Sequence, residues 1–267
     1  MIGLASLRRG GSRVRRWLLP VARWARWGLR WASRGLVAAV LVTVVQVLFV
    51  RFVDPPFTAT MVQRVVERGW RGDGLVWVDH RPVGLQAMGT FPRAAVASED
   101  GRFFFHHGFD LHGICAALEA NREGRALRGG STISQQVARN VFLVQWRSWV
   151  RKGLEVWYTV WLELLVPKHR ILELYGNVAE TGPHHFGVEA AAQHWYGVDA
   201  EALSAERAAR LVYLLPNPRE RRPGAREGGD KASWVARNRV PFPGDPGFDR
   251  AQRTWDAQKT PWRCFLP

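Results

Sequence analysis

The stretch AVASEDGRFFFHHGFDLHG, residues 95–113, sets two adjacent carboxylates, Glu99 and Asp100, directly before three phenylalanines and two histidines. Carboxylates ordinarily lie in water, whereas phenylalanine rings ordinarily lie in the core. A carboxyl group held against apolar rings has its charged form disfavoured, which suits it for proton transfer near neutral pH. A helix end with a capping acid and core aromatics explains the same letters. Taken alone, that second interpretation is favoured, because structural acids outnumber catalytic ones.

The charge of the chain indicates an anionic partner. Its 267 residues suit one globular domain with appendages, and they carry 38 Lys and Arg against 23 Asp and Glu, a net charge of +15. Such a balance is typical of proteins that meet nucleic acid, acidic lipid headgroups or a phosphorylated substrate. The distribution is uneven, since residues 1–53 contain no acid but include nine arginines ahead of an uncharged run: Arg8, Arg9, Arg13, Arg15, Arg16, Arg23, Arg26, Arg30 and Arg34.

That uncharged run, GLVAAVLVTVVQVLFV at residues 35–50, predicts a transmembrane helix. It is slightly shorter than the roughly 20 residues that a span needs, but residues 52 and 53 extend it if Arg51 snorkels to the interface. A secretory signal peptide would show a small-residue cleavage site, and RFVDPPF offers none. The arginines place the N-terminus in the cytoplasm. Tryptophans interleaved with them suit a membrane interface better than a nucleic-acid-binding arm, so we expect a single-pass signal anchor.

The two cysteines, Cys115 and Cys264, give neither a disulfide framework nor a metal-site spacing. A single bridge and two buried thiols explain them equally well.

Helical periodicity dominates the chain from residue 91 to residue 215, and strand signals are few. We therefore predict a mostly α fold with a loop-rich segment at residues 70–92 and a basic, turn-rich, loosely packed tail after residue 216. The predicted helices cover residues 58–69, 92–99, 112–122, 132–143, 151–166, 168–178, 188–195, 204–214 and, within the tail, 250–259.

Two further segments combine cations with amides or acids. In RGGSTISQQVARN, residues 128–140, Ser131 or Thr132 caps a helix on which Gln135 and Arg139 share one face. In RSWVRKGLE, residues 147–155, two cations reach the carboxylate of Glu155 at helical spacing, on a helix that is otherwise apolar nearly all round. An ordinary capped helix and a surface ion pair explain each segment separately, whereas a sugar and phosphate ligand would explain both.

The order EDGRFFFHHG, GGSTISQQ, RKGLE, HRILELYGN and GVEAAAQHWYG resembles the peptidoglycan glycosyltransferase family. That family is shared by the first domain of bifunctional penicillin-binding proteins and by monofunctional biosynthetic transglycosylases. The sequence departs from the family pattern at Ser134 for Thr, at Arg139 for Lys, and at Gly176 for a Leu, which would loosen a helix end. No S-x-x-K, S-x-N or K-T-G set follows, so the monofunctional branch fits.

The resemblance implies a lysozyme-like helical catalytic lobe with a smaller membrane-proximal lobe. It makes Glu99 the catalytic base and Glu155 the second essential acid, with a divalent cation (Mg²⁺ or Mn²⁺) near Glu155. The residues that it assigns to substrate binding are Asp100, Ser131, Thr132, Gln135, Gln136, Arg139, Arg147, Arg151 and Lys152. The expected organisation is a basic cytoplasmic segment at residues 1–34, the anchor at 35–53, the glycosyltransferase domain at 54–218 and an extension at 219–267.

The implied reaction polymerises lipid II into glycan strands, with inversion and release of polyprenyl pyrophosphate, on the outer side of the bacterial inner membrane. Bifunctional penicillin-binding proteins or division proteins are expected partners, and nucleic acid is not. The alternatives are a lysozyme-like enzyme that cuts glycan strands and a non-catalytic membrane scaffold. The cations around the candidate carboxylates argue against a hydrolase, which needs none at the cleaved bond.

Overall fold

The computed structural model describes residues 10–71, 77–124 and 130–258, in two compact units that span residues 1–46 and 47–267. Gly129 and Cys264 lie outside the described residues. The elements confirm the mostly α prediction, while the lysozyme-like two-lobed form stays a prediction. The described helices are α1 Gly10–Phe52, α2 Ala59–Arg71, α3 Phe91–Glu99, α4 Leu111–Arg122, α5 Ile133–Phe142, α6 Trp149–Leu165, α7 Lys168–Val178, α8 Val188–Tyr196, α9 Ala205–Val212, α10 Arg226–Arg237 and α11 Phe248–Asp256.

Helix α1 contains the expected membrane anchor. Residues Arg26–Phe52 are long and apolar enough to cross a bilayer, and their most apolar 18-residue window has a mean hydropathy of 2.3. The helix is longer than the expected span, since it begins at Gly10 and the span was expected to start at residue 35. It ends at Phe52, before Pro55 and Pro56. One apolar N-terminal helix of this length indicates a single-pass anchor.

The last turn of α1 belongs to the second unit and is built into its core. Val47 and Val50 are buried there. Arg170 on α7 donates from Nε to the carbonyl oxygen of Val50 at 3.1 Å and forms an ion pair with Asp54 at 2.9 Å. The end of the anchor is therefore held by packing and by a buried guanidinium.

The core of the second unit forms where α5 packs against α6 and α7, and where α3 packs against α9. Its largest fully buried side chains come from most of these helices and from the EDGRFFFHHG segment; among them are Phe91, Phe103, Ile133, Leu162, Ile171, Leu174, Tyr175 and Leu211. The phenylalanine at position 103 is thus a core residue, as the structural interpretation of that segment expects. Burial of this apolar area is the main stabilising contribution to the unit.

A small sheet lies beside the helices, with strand order β1 (Asp79–His80), β3 (His185–Phe186), β2 (Glu180–Gly182). Strand β1 pairs with β3 in parallel, with Asp79 opposite His185, and β2 pairs with β3 in antiparallel orientation. Asn177 connects this sheet region to α7, because its side chain accepts from the backbone N–H of Val83 and donates to the carbonyl of Val83, both at 3.0 Å.

The tail after residue 216 departs from the loosely packed extension that the sequence predicts. Helix α10 packs against α9 and α3, with Ala232 buried against them. Gly228 lets the preceding loop fold closely onto the first turn of α10, since a Cβ there would lie 2.7 Å from the carbonyl oxygen of Pro223. This glycine therefore lies within a helix, at a close backbone contact, and not in a turn. The domain boundary at residue 218 stays a prediction.

Cys115 is buried on α4 and is disulfide-bonded, so the free-thiol alternative does not hold for it.

Gly176 does not loosen α7, which was the expectation. The residue is buried, and the backbone hydrogen bond from Ala179 to Tyr175 continues past it at 3.1 Å. The thioether of Met88, itself fully buried, occupies the space into which a side chain at position 176 would extend. Met88 therefore packs directly against the backbone of Gly176, and a larger residue at position 176 would have to displace it.

We predict that Gly176→Leu lowers the free energy of unfolding by about 1–3 kcal/mol, because an overpacked core forces side chains from their rotamers. Adding Met88→Ala should recover part of the loss. Denaturant unfolding of the four proteins in this double-mutant cycle measures the coupling. The control is Gly153→Ala on α6, an exposed position with open space around it, which should be neutral or stabilising. Additive effects of the two core substitutions would contradict the complementary packing.

Candidate active site

Two adjoining cavities, of about 480 and 730 Å³, meet at Glu99. Ser98, Glu99, Ser131 and Trp234 line both of them. The smaller cavity continues toward the start of α4 and the end of α10, and the larger one continues along α5 to Gln136, Arg139 and Lys231. A carboxylate thus lies at the junction of two spaces, and cations line both: Arg102 and Arg239 in the smaller cavity, Arg139 and Lys231 in the larger one.

Glu99 is the last residue of α3 and is half-buried. Its Oε1 accepts from the Ser98 hydroxyl at 2.9 Å, and its Oε2 lies 3.5 Å from the amide nitrogen of Gln136. Behind Gln136 the buried hydroxyl of Tyr175 donates to the amide oxygen at 3.4 Å. Burial raises the pKa of Tyr175 well above its ordinary value, and the nearby charge of Glu99 acts in the same direction. Tyr175 therefore stays a hydrogen-bond donor beneath the cleft.

Asp100 holds the loop after Glu99 in place and is itself buried. Its Oδ2 accepts from the backbone N–H of Ile133 at 3.0 Å, and both of its oxygens lie within 3.0 Å of His106 Nε2. A buried carboxylate needs such partners, because desolvation otherwise disfavours its charge. The sequence assigned Asp100 to substrate binding. The structure adds a positioning role at the first turn of α5, where the helix dipole also favours a negative charge, while Asp100 lines the smaller cavity and its substrate binding stays a prediction.

Thr132 and Gln135 cap α5 and are both buried. The Thr132 hydroxyl accepts from the backbone N–H of Gln135 at 3.2 Å, while the Gln135 side chain accepts from the backbone N–H of Thr132 at 3.0 Å. The same hydroxyl donates to the carbonyl of Gly108 at 2.7 Å. This is a capping box, which satisfies helix-end amides reciprocally. Of the two glutamines predicted to face the substrate, only Gln136 lines the larger cavity.

The cationic side of the cleft joins α5 to α10. Nε of Arg139 is buried without a hydrogen-bond partner among the described residues, and Arg139 lines the larger cavity together with Lys231. Burial lowers the pKa of Lys231, and the charge of Glu99 opposes that shift. The Lys231 ammonium lies 5.0 Å from the centre of the Trp234 ring, within cation–π range. Two cations and one exposed indole thus face the carboxylate.

A second charged cluster lies at the start of α6 and does not contribute to the lining of the two cavities. Glu155 is buried; Arg151 Nη1 donates to its Oε2 at 2.8 Å, and Lys152 Nζ contacts its Oε1. Arg151 also donates to the carbonyl of Trp146 at 2.6 Å. Arg147 is exposed in the preceding loop. The structure therefore brings Glu99, Ser131, Gln136 and Arg139 together, and it groups Arg151, Lys152 and Glu155 separately.

The residues around Glu155 do not fit the expected divalent cation. Both carboxylate oxygens contact cationic nitrogens, whereas Mg²⁺ and Mn²⁺ require free oxygen ligands. Within the described ranges, no three His, Cys, Asp or Glu side chains group in a way that could hold an ion. A divalent cation stays a prediction, and no step is assigned to one.

Sequence reasoning missed Lys231 and Trp234, which line the cleft, and Tyr175, which is buried beneath it. In the sequence, Tyr175 is only one of several apolar positions on a predicted helix, so nothing distinguished it as a site residue. Lys231 and Trp234 were assigned to a turn-rich tail because of the glycines and the proline before them. Lys231, Trp234 and Asn238 follow one another at intervals of three and four residues. This spacing is typical of one helical face and was the signal that could have identified the helix.

Comparison with known proteins relates this chain to one family. A family model described as Transglycosylase matches residues 78–240, which includes α10. The biosynthetic peptidoglycan transglycosylase of Xanthomonas euvesicatoria pv. vesicatoria (strain 85-10) is 47% identical over 237 residues, which are 84% of this chain and 88% of the relative.

Two further relatives carry the same name. That of Xanthomonas oryzae pv. oryzae (strain KACC10331 / KXO85) is 51% identical over 191 residues, which cover 68% of this chain and 76% of the relative. That of Stutzerimonas stutzeri (strain A1501) is 43% identical over 205 residues, which cover 76% of this chain and 85% of the relative. With the family model and the relatives spanning most of the sequence, the chain belongs to the transglycosylase family and is a peptidoglycan glycosyltransferase.

Proposed function

We propose that the enzyme polymerises lipid II, with Glu99 as the general base. An acceptor sugar hydroxyl attacks the anomeric carbon of the lipid-linked glycan, and its proton passes to Glu99. The bond from the anomeric carbon to the diphosphate oxygen breaks, and polyprenyl diphosphate leaves with the electron pair. A single displacement inverts the anomeric centre. The observation that carries this proposal is the position of Glu99 at the junction of two cavities, with Arg139 and Lys231 along the larger one.

The cationic side is the part of the cleft that suits the departing diphosphate. A diphosphate is a good leaving group and needs charge neutralisation more than protonation. Arg139 offers a planar guanidinium whose Nε has no hydrogen-bond partner among the described residues, and Lys231 offers an ammonium in the same cavity. An arginine at position 139, where the family pattern has a lysine, favours bidentate contacts with phosphate oxygens.

We assign Arg151, Lys152 and Arg147 to binding of the same diphosphate as it moves from the cleft toward the bilayer. Glu155 compensates two of these cations and holds them in a fixed arrangement at the start of α6. Beyond this cluster the outer face of α6 is apolar and exposed, with Trp149 90% and Leu164 69% exposed. Exposed apolar area of this kind marks an interaction surface. We assign it to the membrane that carries the polyprenyl tails.

The position at the membrane follows from the anchor. The last turn of α1 is packed into the core of the second unit, where Arg170 donates to the carbonyl oxygen of Val50. Nine arginines before residue 35 favour a cytoplasmic N-terminus, which places the cleft on the outer side of the inner membrane. Bifunctional penicillin-binding proteins and division proteins stay the expected partners.

The lytic alternative requires a second free carboxylate, and the described part of the cleft offers none besides Glu99. A glycosidase needs an acid for the leaving sugar and a base for water. The two other acids that line the smaller cavity are engaged: Asp100 binds His106 and Ile133, and Asp110 caps α4 and pairs with Arg102 at 2.9 Å. A polymerising transferase needs only the base.

We predict that Glu99→Gln lowers glycan polymerisation by about a hundredfold or more, because the amide cannot accept the proton. The measurement is the formation of long glycan from lipid II by the full chain in detergent. Glu201→Gln, an exposed position away from the cleft, is the matched control and should keep the wild-type rate.

Three outcomes would contradict the proposal, in that assay or in a second assay that measures release of soluble fragments from preformed glycan. Glu99→Gln could retain the wild-type rate while it unfolds at the same temperature as the wild type. Wild-type protein could release soluble fragments from preformed glycan without making polymer, which would favour the lytic alternative. Inactivity in both assays would favour a scaffold.

We predict that Lys231→Met slows polymerisation by about tenfold, while Lys231→Arg retains most activity, because the leaving anion needs the charge. Since burial lowers the pKa of Lys231, this charge is lost at a lower pH than that of an ordinary lysine. The rate of the wild type should therefore fall as pH rises through the lowered value, and Lys231→Arg should move that fall to higher pH. Arg237→Gln, exposed on the same helix, is the control. Identical pH–rate profiles for Lys231→Met and wild type would refute this role.

A further inference from the structure

The helix segment at residues 24–34 carries exposed tryptophans and arginines on adjacent faces. Trp24, Trp27 and Trp31 are 70%, 57% and 54% exposed. They form a ladder in which each ring meets the next edge-on, with centroids 6.0 Å apart. The guanidinium of Arg34 lies 5.4 Å from the centre of the Trp31 ring. We call this segment the Trp–Arg collar.

The arginines of the collar recur at every fourth position. Arg26, Arg30 and Arg34 follow one helical face beside the tryptophan face. Trp24, Arg26, Trp27 and Arg30 line a shallow cavity of about 650 Å³. The first 53 residues contain no acid, so the charge of this stretch is uniformly positive. A uniformly positive surface is complementary to an anionic ligand.

The length of the span sets the depth of the collar. At about 1.5 Å per residue, the 27 residues of Arg26–Phe52 extend about 40 Å. The hydrocarbon core is roughly 30 Å thick, and the uncharged residues from 35 onward cover most of it. With the apolar run in the core, residues 24–34 lie in the headgroup layer at the N-terminal side of the membrane.

We propose that the Trp–Arg collar binds anionic phospholipid headgroups in preference to zwitterionic ones. The proposal rests on the membrane anchoring described above and is independent of the catalytic assignments. Guanidinium groups form paired hydrogen bonds with phosphate oxygens, and indole rings favour the interface between headgroups and acyl chains. A headgroup that carries its own ammonium compensates the phosphate, whereas phosphatidylglycerol does not, so basic segments beside a span select the anionic lipid.

The test is native mass spectrometry of the full chain in detergent, titrated with phosphatidylglycerol or with phosphatidylcholine of the same acyl chains. We expect wild-type protein to bind phosphatidylglycerol about tenfold more tightly, with a preference that weakens as salt is raised. The variant R26Q/R30Q/R34Q should bind the two lipids equally. The charge-matched control R237Q/R250Q/R253Q alters exposed arginines of α10 and α11 and should keep the preference.

Glycan polymerisation in the same detergent, measured on both variants, separates this proposal from the catalytic one, since the collar variant should retain its rate. Equal binding of both lipids by the wild type, or an unchanged preference in R26Q/R30Q/R34Q, would overturn the proposal. So would tighter binding of a single-stranded RNA oligomer that phosphatidylglycerol fails to displace, because the collar would then be a nucleic-acid site.

Discussion

The buried carboxylate of Asp100 is the contact on which the site depends. It accepts from the first backbone amide of α5 and binds His106, so one side chain ties the end of α3 to the start of α5. Glu99 is its neighbour in sequence and is therefore fixed at the edge of the cleft. An acid at this position is stabilised by the helix dipole and by hydrogen bonds, which together offset the loss of water.

Helix α5, whose first amide binds Asp100, also positions the residues that line the larger cavity. The capping box of Thr132 and Gln135 fixes its first turn, and packing against α6 and α7 fixes its inner face. Gln136 and Arg139 are left to face Glu99, and α10 adds Lys231 and Trp234 from the opposite wall. The base and the cations are thus held by different helices that share one core, which is the geometry that electrostatic stabilisation of a leaving group requires.

Periodicity predicted the helices between residues 91 and 214 to within about two residues, because each has an apolar stripe and a clear break. It could not separate Gln135 from Gln136, since adjacent residues on a helix differ only by a rotation that the tertiary structure sets. It also failed at α10, where Gly228 and Pro223 resemble turn signals although the glycine permits close packing. Because that helix was not predicted, Lys231 and Trp234 were not recognised as site residues. The role of Gly176 depended on Met88, which lies far away in sequence.

The most direct test of the proposed mechanism is a structure of the full chain with an unreactive lipid-linked disaccharide diphosphate. The mechanism predicts diphosphate oxygens within about 3 Å of the Arg139 guanidinium or the Lys231 ammonium. It also predicts a sugar hydroxyl within about 2.6–3.2 Å of the Glu99 carboxylate, directly or through one water. A diphosphate bound outside this cleft, with no sugar hydroxyl in reach of Glu99, would contradict it.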